Sequence, residues 1–171
     1  MSKIVITGFM GSGKSSVARA LAELFSSGMV DLDEAIAAAE GRSPSEIIVE
    51  DGELRFRELE QQVLSKLLQM PGDQVVALGG GAWNSEANRQ LVAKQRAISV
   101  WLDAPFDLCW KRIATAADRR PLASNEMAAF KLFSERTSYY ELADLRVVVT
   151  EQKPPVEIAA EIAEALEQHA Y

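Results

Sequence analysis

The stretch GFMGSGKSS, Gly8 to Ser16, follows the short apolar run KIVIT and precedes a segment of helical spacing. Gly8-x4-Gly13-Lys14-Ser15 is the phosphate-binding loop pattern, and a strand before it with a helix after it is the context that pattern needs. Glycines let successive backbone N–H groups turn inward around an anion, and the helix N-terminus adds its partial positive charge. In such a loop Lys14 reaches the terminal phosphates, Ser15 can ligate Mg²⁺, and Gly11, Ser12, Gly13 and Ser16 complete the cradle for a nucleotide's phosphates. The loop specifies a nucleotide but no reaction, because switch proteins, motors and small kinases all use it.

Other stretches could supply an acceptor. VDLDE puts Asp31 and Asp33 at the carboxyl end of the second apolar run, the edge where open parallel sheets bind ligands. Within a strand the two would share a face, one carboxylate holding a hydrated metal and the other facing a hydroxyl. The alternative is a helix N-cap followed by a solvated acid. LGGGAW sets Gly79, Gly80 and Gly81 after the third run; a triplet exceeds what a turn needs and favours close approach of ligand polar groups to backbone N–H. GELRFRELE carries Arg55 and Arg57, one of which could grip a carboxylate in a bidentate fork, although exposed helix arginines usually sit in solvated ion pairs. Arg119, Arg120 and Arg136 are equally ambiguous when taken singly.

These residues hang on alternating elements. Apolar runs at Lys3 to Thr7, near Met29 to Leu32, at Val75 to Leu78, Ala97 to Leu102 and Arg146 to Thr150 read as buried strands, with segments of helical period between them. That alternation predicts an α/β fold with a parallel sheet covered on both faces. Val17, Leu21 and Leu24 mark the apolar side of a helix starting near Lys14. SPSE, Ser43 to Glu46, reads as a capping box with Pro44 at the first helical position, and Gly52 closes that helix. A further helix with Phe56, Val63, Leu67 and Leu68 runs to Pro71-Gly72, so the segment between the second and third strands reads as a helical insertion beside the sheet. AADRRPLASN, from Ala116 to Asn125, reads as an exposed loop between helices, and Pro154-Pro155 opens a last helix with Ile158, Ile162 and Leu166 on one face.

At 171 residues the chain fits one domain. A formal charge of -7 without a basic tail or stripe argues against nucleic acid or anionic lipid as partners, so cations for an anionic ligand must be gathered locally. One cysteine, Cys109, allows no internal disulfide, no signal-peptide pattern precedes KIVIT, and no apolar run approaches the roughly 20 residues of a membrane span. A soluble cytoplasmic protein is expected. His169 has no partner motif, while Cys109 and the tryptophans Trp83, Trp101 and Trp110 read as packing residues.

In order and spacing, GFMGSGKSS, VDLDEAI, DGELRFRELE, LGGGA, RRPL and ERTSYYELAD resemble shikimate kinase, and the match spans nearly the whole chain. The resemblance implies a three-layer, nucleoside-monophosphate-kinase-like P-loop fold: a five-stranded parallel sheet, a helical substrate-binding region at about 33–60 and a lid at about 112–124. It implies transfer of the terminal phosphate of ATP, with Mg²⁺, to the 3-hydroxyl of shikimate in aromatic amino-acid biosynthesis; separately, a monomer is expected. By position it makes Asp33 the residue on the shikimate hydroxyls and Asp31 its neighbour at the hydrated metal with Ser15. Arg57 and Arg136 clamp the shikimate carboxylate, and Gly79, Gly80 and Gly81 close on the hydroxyl side of the ring. Lys14 and the lid residue Arg120 reach the ATP phosphates, while Arg112, Lys153 and Pro155 fall where the family holds adenine.

The chain departs from the family pattern at Ile48, where an aromatic residue usually stands beside the ring, at Ser138-Tyr139 in place of proline-leucine, and at Ala123 in place of a leucine. A kinase of another small hydroxylated acid, such as gluconate, explains the loop and lid but accounts less well for the pairing of Arg57 with Arg136 and the glycine triplet. A non-catalytic nucleotide-binding relative has no need for Lys14, Asp31, Asp33, Arg57, Arg120 and Arg136 together.

Overall fold

The computed structural model describes residues 3–72, 74–116 and 123–169. Its central strand β1 (Ile4–Thr7) is buried along its whole length, as a strand covered on both faces must be. Around it stand β2 (Gly28–Asp31), β3 (Gln74–Ala77), β4 (Ile98–Asp103) and β5 (Leu145–Val148) in the order β2-β3-β1-β4-β5, all parallel. The chain leaves β1 toward β2 on one side and leaves β3 toward β4 on the other. The carboxyl ends of β1 and β3 therefore flank a crevice where connections diverge, the usual ligand position in open sheets. The buried apolar residues form one cluster around this sheet.

Helices α1 (Lys14–Leu24), α2 (Leu32–Glu40), α3 (Pro44–Asp51), α4 (Glu53–Gln69), α5 (Glu86–Lys94), α6 (Phe106–Thr115), α7 (Glu126–Tyr140) and α8 (Pro155–His169) complete the described elements, with a 3₁₀ turn at Ala82–Asn84. The α1 helix buries Val17, Ala18, Leu21 and Ala22, whereas Leu24, expected on its apolar side, is 56% exposed. The predicted capping box holds: the Glu46 N–H donates to Ser43 Oγ at 3.2 Å and the Ser43 N–H to Glu46 Oε2 at 2.7 Å. Gly52, at φ +88°, ends α3 and admits α4.

The insertion between β2 and β3 contains one helix more than the sequence signals suggested. LDEAIAAAE, α2, starts directly after β2, with Asp31 as N-cap and Asp33 and Glu34 in its first turn, and it ends at Gly41 in the left-handed region. Alanine-rich sequence between such caps is strongly helical. Asp33 is consequently a helical residue, and the shared strand face expected for Asp31 and Asp33 is not how they meet. Trp83, Trp101 and Cys109 are buried, Trp110 is partly buried, and His169 is exposed at the end of α8. No helix among the described residues is long and apolar enough to cross a membrane.

Candidate active site

Residues after β1, β2 and β3 converge at the carboxyl edge of the sheet. After β1, the loop turns through Gly11 and Gly13, both at positive φ, to reach α1. A side chain at Gly11 would meet the Cys109 carbonyl of α6 at 2.7 Å, so glycine is required there for backbone approach as well as for conformation. The first turn of α1 contains no acidic residue and has no side-chain cap, which leaves its N–H groups to an anion. The Lys14 ammonium lies across the loop and donates to the Phe9 carbonyl at 2.8 Å. Buried Ser12 Oγ has no hydrogen-bond partner among the described residues. A cavity of about 440 Å³ opens here, lined by Gly11, Gly13, Lys14, Ser15, Ser16, Asp31, Asp33, Glu34, Leu78, Gly79 and Gly80.

Asp31 is the helix N-cap that the sequence offered as one alternative, and its second oxygen turns to the phosphate loop. Its Oδ1 caps α2 by accepting from the N–H groups of Asp33 at 3.0 Å and Glu34 at 3.3 Å. Its Oδ2 accepts from the Ser15 hydroxyl. Two hard oxygen donors thus stand together beside the phosphate loop, the donor type Mg²⁺ prefers when phosphates and water complete its shell. Among the described residues no cluster of three or more His, Cys, Asp or Glu gathers that could hold a metal through protein ligands alone.

The second cavity, about 110 Å³, shares Asp33, Gly79 and Gly80 with the first. Its further lining is Met10, Pro44, Ser45, Ile48, Phe56, Arg57, Glu60, Gly81 and Arg136. Arg57 forks onto Glu60, with Nη1 at 2.9 Å from both carboxylate oxygens, and its Nη2 is 3.4 Å from Glu53. Arg136 is 4% exposed, forms no ion pair with a described residue, and has no hydrogen-bond partner at Nε. Arg136 lines the cavity and also acts on the Tyr140 hydroxyl, and a buried cation without a described ion pair is costly unless an anion joins it.

The glycine triplet makes room for the site's own charged groups. A Cβ at Gly79 would stand 2.8 Å from Asp33 Oδ1, and one at Gly81 would collide with the Arg57 guanidinium. Bare backbone is therefore the only wall that lets both side chains face inward.

Glu60 was missed in the sequence, where a carboxylate on a helix reads as solvated. The signal was present: Phe56, Glu60 and Leu64 are four apart, so Glu60 falls on the buried stripe of α4 and is 0% exposed. Burial pushes its carboxyl up to about 7 from the ordinary 4.5, with the Asp33 charge acting the same way and Arg57 and Arg136 opposing. Between those values the folded chain keeps a proton that the unfolded chain releases, so the group's contribution is full below 4.5 and is lost as pH rises through 7. The stability advantage of the parent over Glu60→Gln, measured by urea unfolding, should fall across that window and level off above it; a pH-independent difference contradicts the assignment.

The expected adenine residues are not all gathered. Arg112 reaches the loop, its Nη1 donating to the Gly11 carbonyl at 3.0 Å. Lys153 pairs instead with Glu161 at 2.6 Å, and neither it nor Pro155, at the start of α8, lines the donor cavity. Arg120 lies outside the described residues.

A donor cavity built on a phosphate loop and a cationic acceptor cavity behind one glycine wall point to a small-molecule kinase. The Shikimate kinase family model matches residues 10–167. The chain belongs to the shikimate kinase family. The shikimate kinase of Streptococcus thermophilus is 39% identical over 163 residues, covering 93% of this chain and 96% of the relative. That of Persephonella marina is 36% identical, covering 95% and 97%. The solved structure of shikimate kinase from Acinetobacter baumannii in complex with shikimate superposes with a TM-score of 0.91 at 32% identity, covering 99% of this chain and 94% of that one. Ile48, a departure expected from the sequence, lines the second cavity together with the ring of Phe56 from α4.

Proposed function

We propose that this chain transfers the terminal phosphate of ATP to the 3-hydroxyl of shikimate, giving shikimate 3-phosphate and ADP. The observation that carries the reading is the lining of Asp33, Gly79 and Gly80 shared by the two cavities, which supports a phosphate held in one meeting a hydroxyl held in the other. In this reading Arg57 and Arg136 hold the carboxylate, and Gly79, Gly80 and Gly81 border the ring. Asp33 orients the attacking hydroxyl and receives its proton. Lys14 and Arg120 stabilise charge on the phosphoryl oxygens, and Arg112, Lys153 and Pro155 serve the adenosine end. Ser15 and Asp31 would hold Mg²⁺, which when bound with ATP neutralises phosphate charge. With a formal charge of -7 overall, the local cations are what draw two anions together. The same reading makes residues 1–171 one kinase domain, monomeric and cytoplasmic, with a lid at about 112–124.

The test is ADP release by purified protein with ATP and Mg²⁺. Release should require shikimate, should not respond to gluconate, and should stop when a chelator removes the metal. Equal release with and without shikimate ends the proposal, and a response to gluconate alone favours the other acid.

Gly81→Ala offers a geometric check. The added methyl must displace Arg57, and a misplacement of that kind costs about 100-fold in kcat/KM for shikimate. ATP should be used as before; unaltered kinetics with shikimate would show that Arg57 does not need its present position.

A further inference from the structure

The carbonyls behind the acceptor wall are all engaged. Gly79 O accepts from the Ala82 N–H at 3.1 Å and Gly81 O from the Asn84 N–H at 3.2 Å, closing the 3₁₀ turn. Gly80 O accepts from the hydroxyl of Tyr140, a fully buried side chain whose ring stacks on Trp101. From α5, Asn88 Nδ2 donates to Ala82 O at 2.9 Å, and Arg89 Nη1 donates to Trp83 O at 2.5 Å and Asn84 O at 2.9 Å. By contrast, the N–H groups of Gly79, Gly80 and Gly81 meet no backbone acceptor among the described residues.

A trans peptide points its carbonyl and its N–H to opposite sides, and no peptide here is cis. With the Gly80 carbonyl held toward the Tyr140 side, the Gly81 N–H in the same peptide plane is directed away from Tyr140. Gly81 lines the acceptor cavity, whereas Tyr140 does not. Glycines have no side chain to resist rotation of that peptide, so its orientation depends on what grips the carbonyl. Burial raises the Tyr140 hydroxyl far above its ordinary range, which keeps it a donor at any working pH.

We propose that Tyr140, backed by Asn88 and Arg89, is a positioning residue that fixes the Gly80-Gly81 peptide so that its N–H is presented to the acceptor substrate. The proposal rests on the shikimate reading above. Removing the hydroxyl leaves a partly buried carbonyl without its partner, and the peptide can regain one by turning the carbonyl toward the cavity, which withdraws the donor. Arg89 holds the far end of the same segment and packs over the Tyr139 ring at 5.5 Å, so it couples the turn to α7.

Calorimetric titration of Tyr140→Phe with shikimate and, separately, with a non-hydrolysable ATP analogue tests this. Loss of one such donor corresponds to about tenfold weaker shikimate binding, or about 1.4 kcal/mol, with binding of the analogue unchanged. Arg89→Met, at a partly exposed position, should show a smaller loss of the same selectivity and decides the matter if Tyr140→Phe does not fold. Unchanged shikimate binding, or equal weakening of both ligands, overturns the proposal. Failure of the unmodified chain to bind shikimate would be seen first and would count against the proposed function itself.

Discussion

Asp33→Asn should lower kcat with shikimate by about 100- to 10,000-fold, the range for loss of a general base, while the KM for ATP changes little. Asparagine keeps the size of the side chain and its place in the first turn of α2, and the Asp31 cap that accepts from the residue 33 N–H is untouched. The carboxylate packs against the bare Cα of Gly79 and lines both cavities, and asparagine keeps that packing while removing a proton acceptor and a negative charge. Steady-state kinetics in both substrates would decide it. A variant with parental kcat would mean that the hydroxyl loses its proton elsewhere.

The second large effect is expected at Arg57. Truncation to alanine takes away one arm of the carboxylate clamp and strands Glu60, which is wholly buried and held by both nitrogen-to-oxygen contacts of the fork. Breaking a buried pair from one side costs about 3–5 kcal/mol of stability. The rise of the Glu60 carboxyl to about 7 softens this, since a stranded group can take up a proton rather than stay charged. Catalysis has no such escape. A truncated arginine at a desolvated carboxylate site loses about 2–5 kcal/mol of binding, so kcat/KM for shikimate should fall by about 30- to 5,000-fold. The double variant Arg57→Ala, Glu60→Met separates the two losses: stability should return while shikimate affinity stays low. Recovery of affinity in the double variant would show that Arg57 acts only by neutralising Glu60.

How much of this could be read from the chain depended on how local each cause is. The phosphate loop, the capping box at Ser43 and Glu46, and the five strands were legible because each is written in a few neighbouring residues. Asp33 was read on a strand face and stands instead in the first turn of α2, since a two-residue spacing fits a strand face and an N-cap equally well. Only tertiary structure shows that β2 stops at Asp31. Glu60 betrayed itself only by standing on an apolar stripe, a weak sign against the usual solvation of helix carboxylates. Tyr140, Asn88 and Arg89 had no signature, because each acts through a backbone carbonyl distant in the chain or across a turn.

The lining shared by the two cavities has a consequence for ligand design. Asp33, Gly79 and Gly80 border both, so under the proposed function one molecule carrying a polyphosphate end and a carboxylate end could thread the edge of the sheet without displacing a strand. Once its phosphate end is seated, its carboxylate end would be confined near Arg57 and Arg136 at an effective concentration on the order of millimolar. A tether that short turns a moderate pair of affinities into a tight bisubstrate inhibitor.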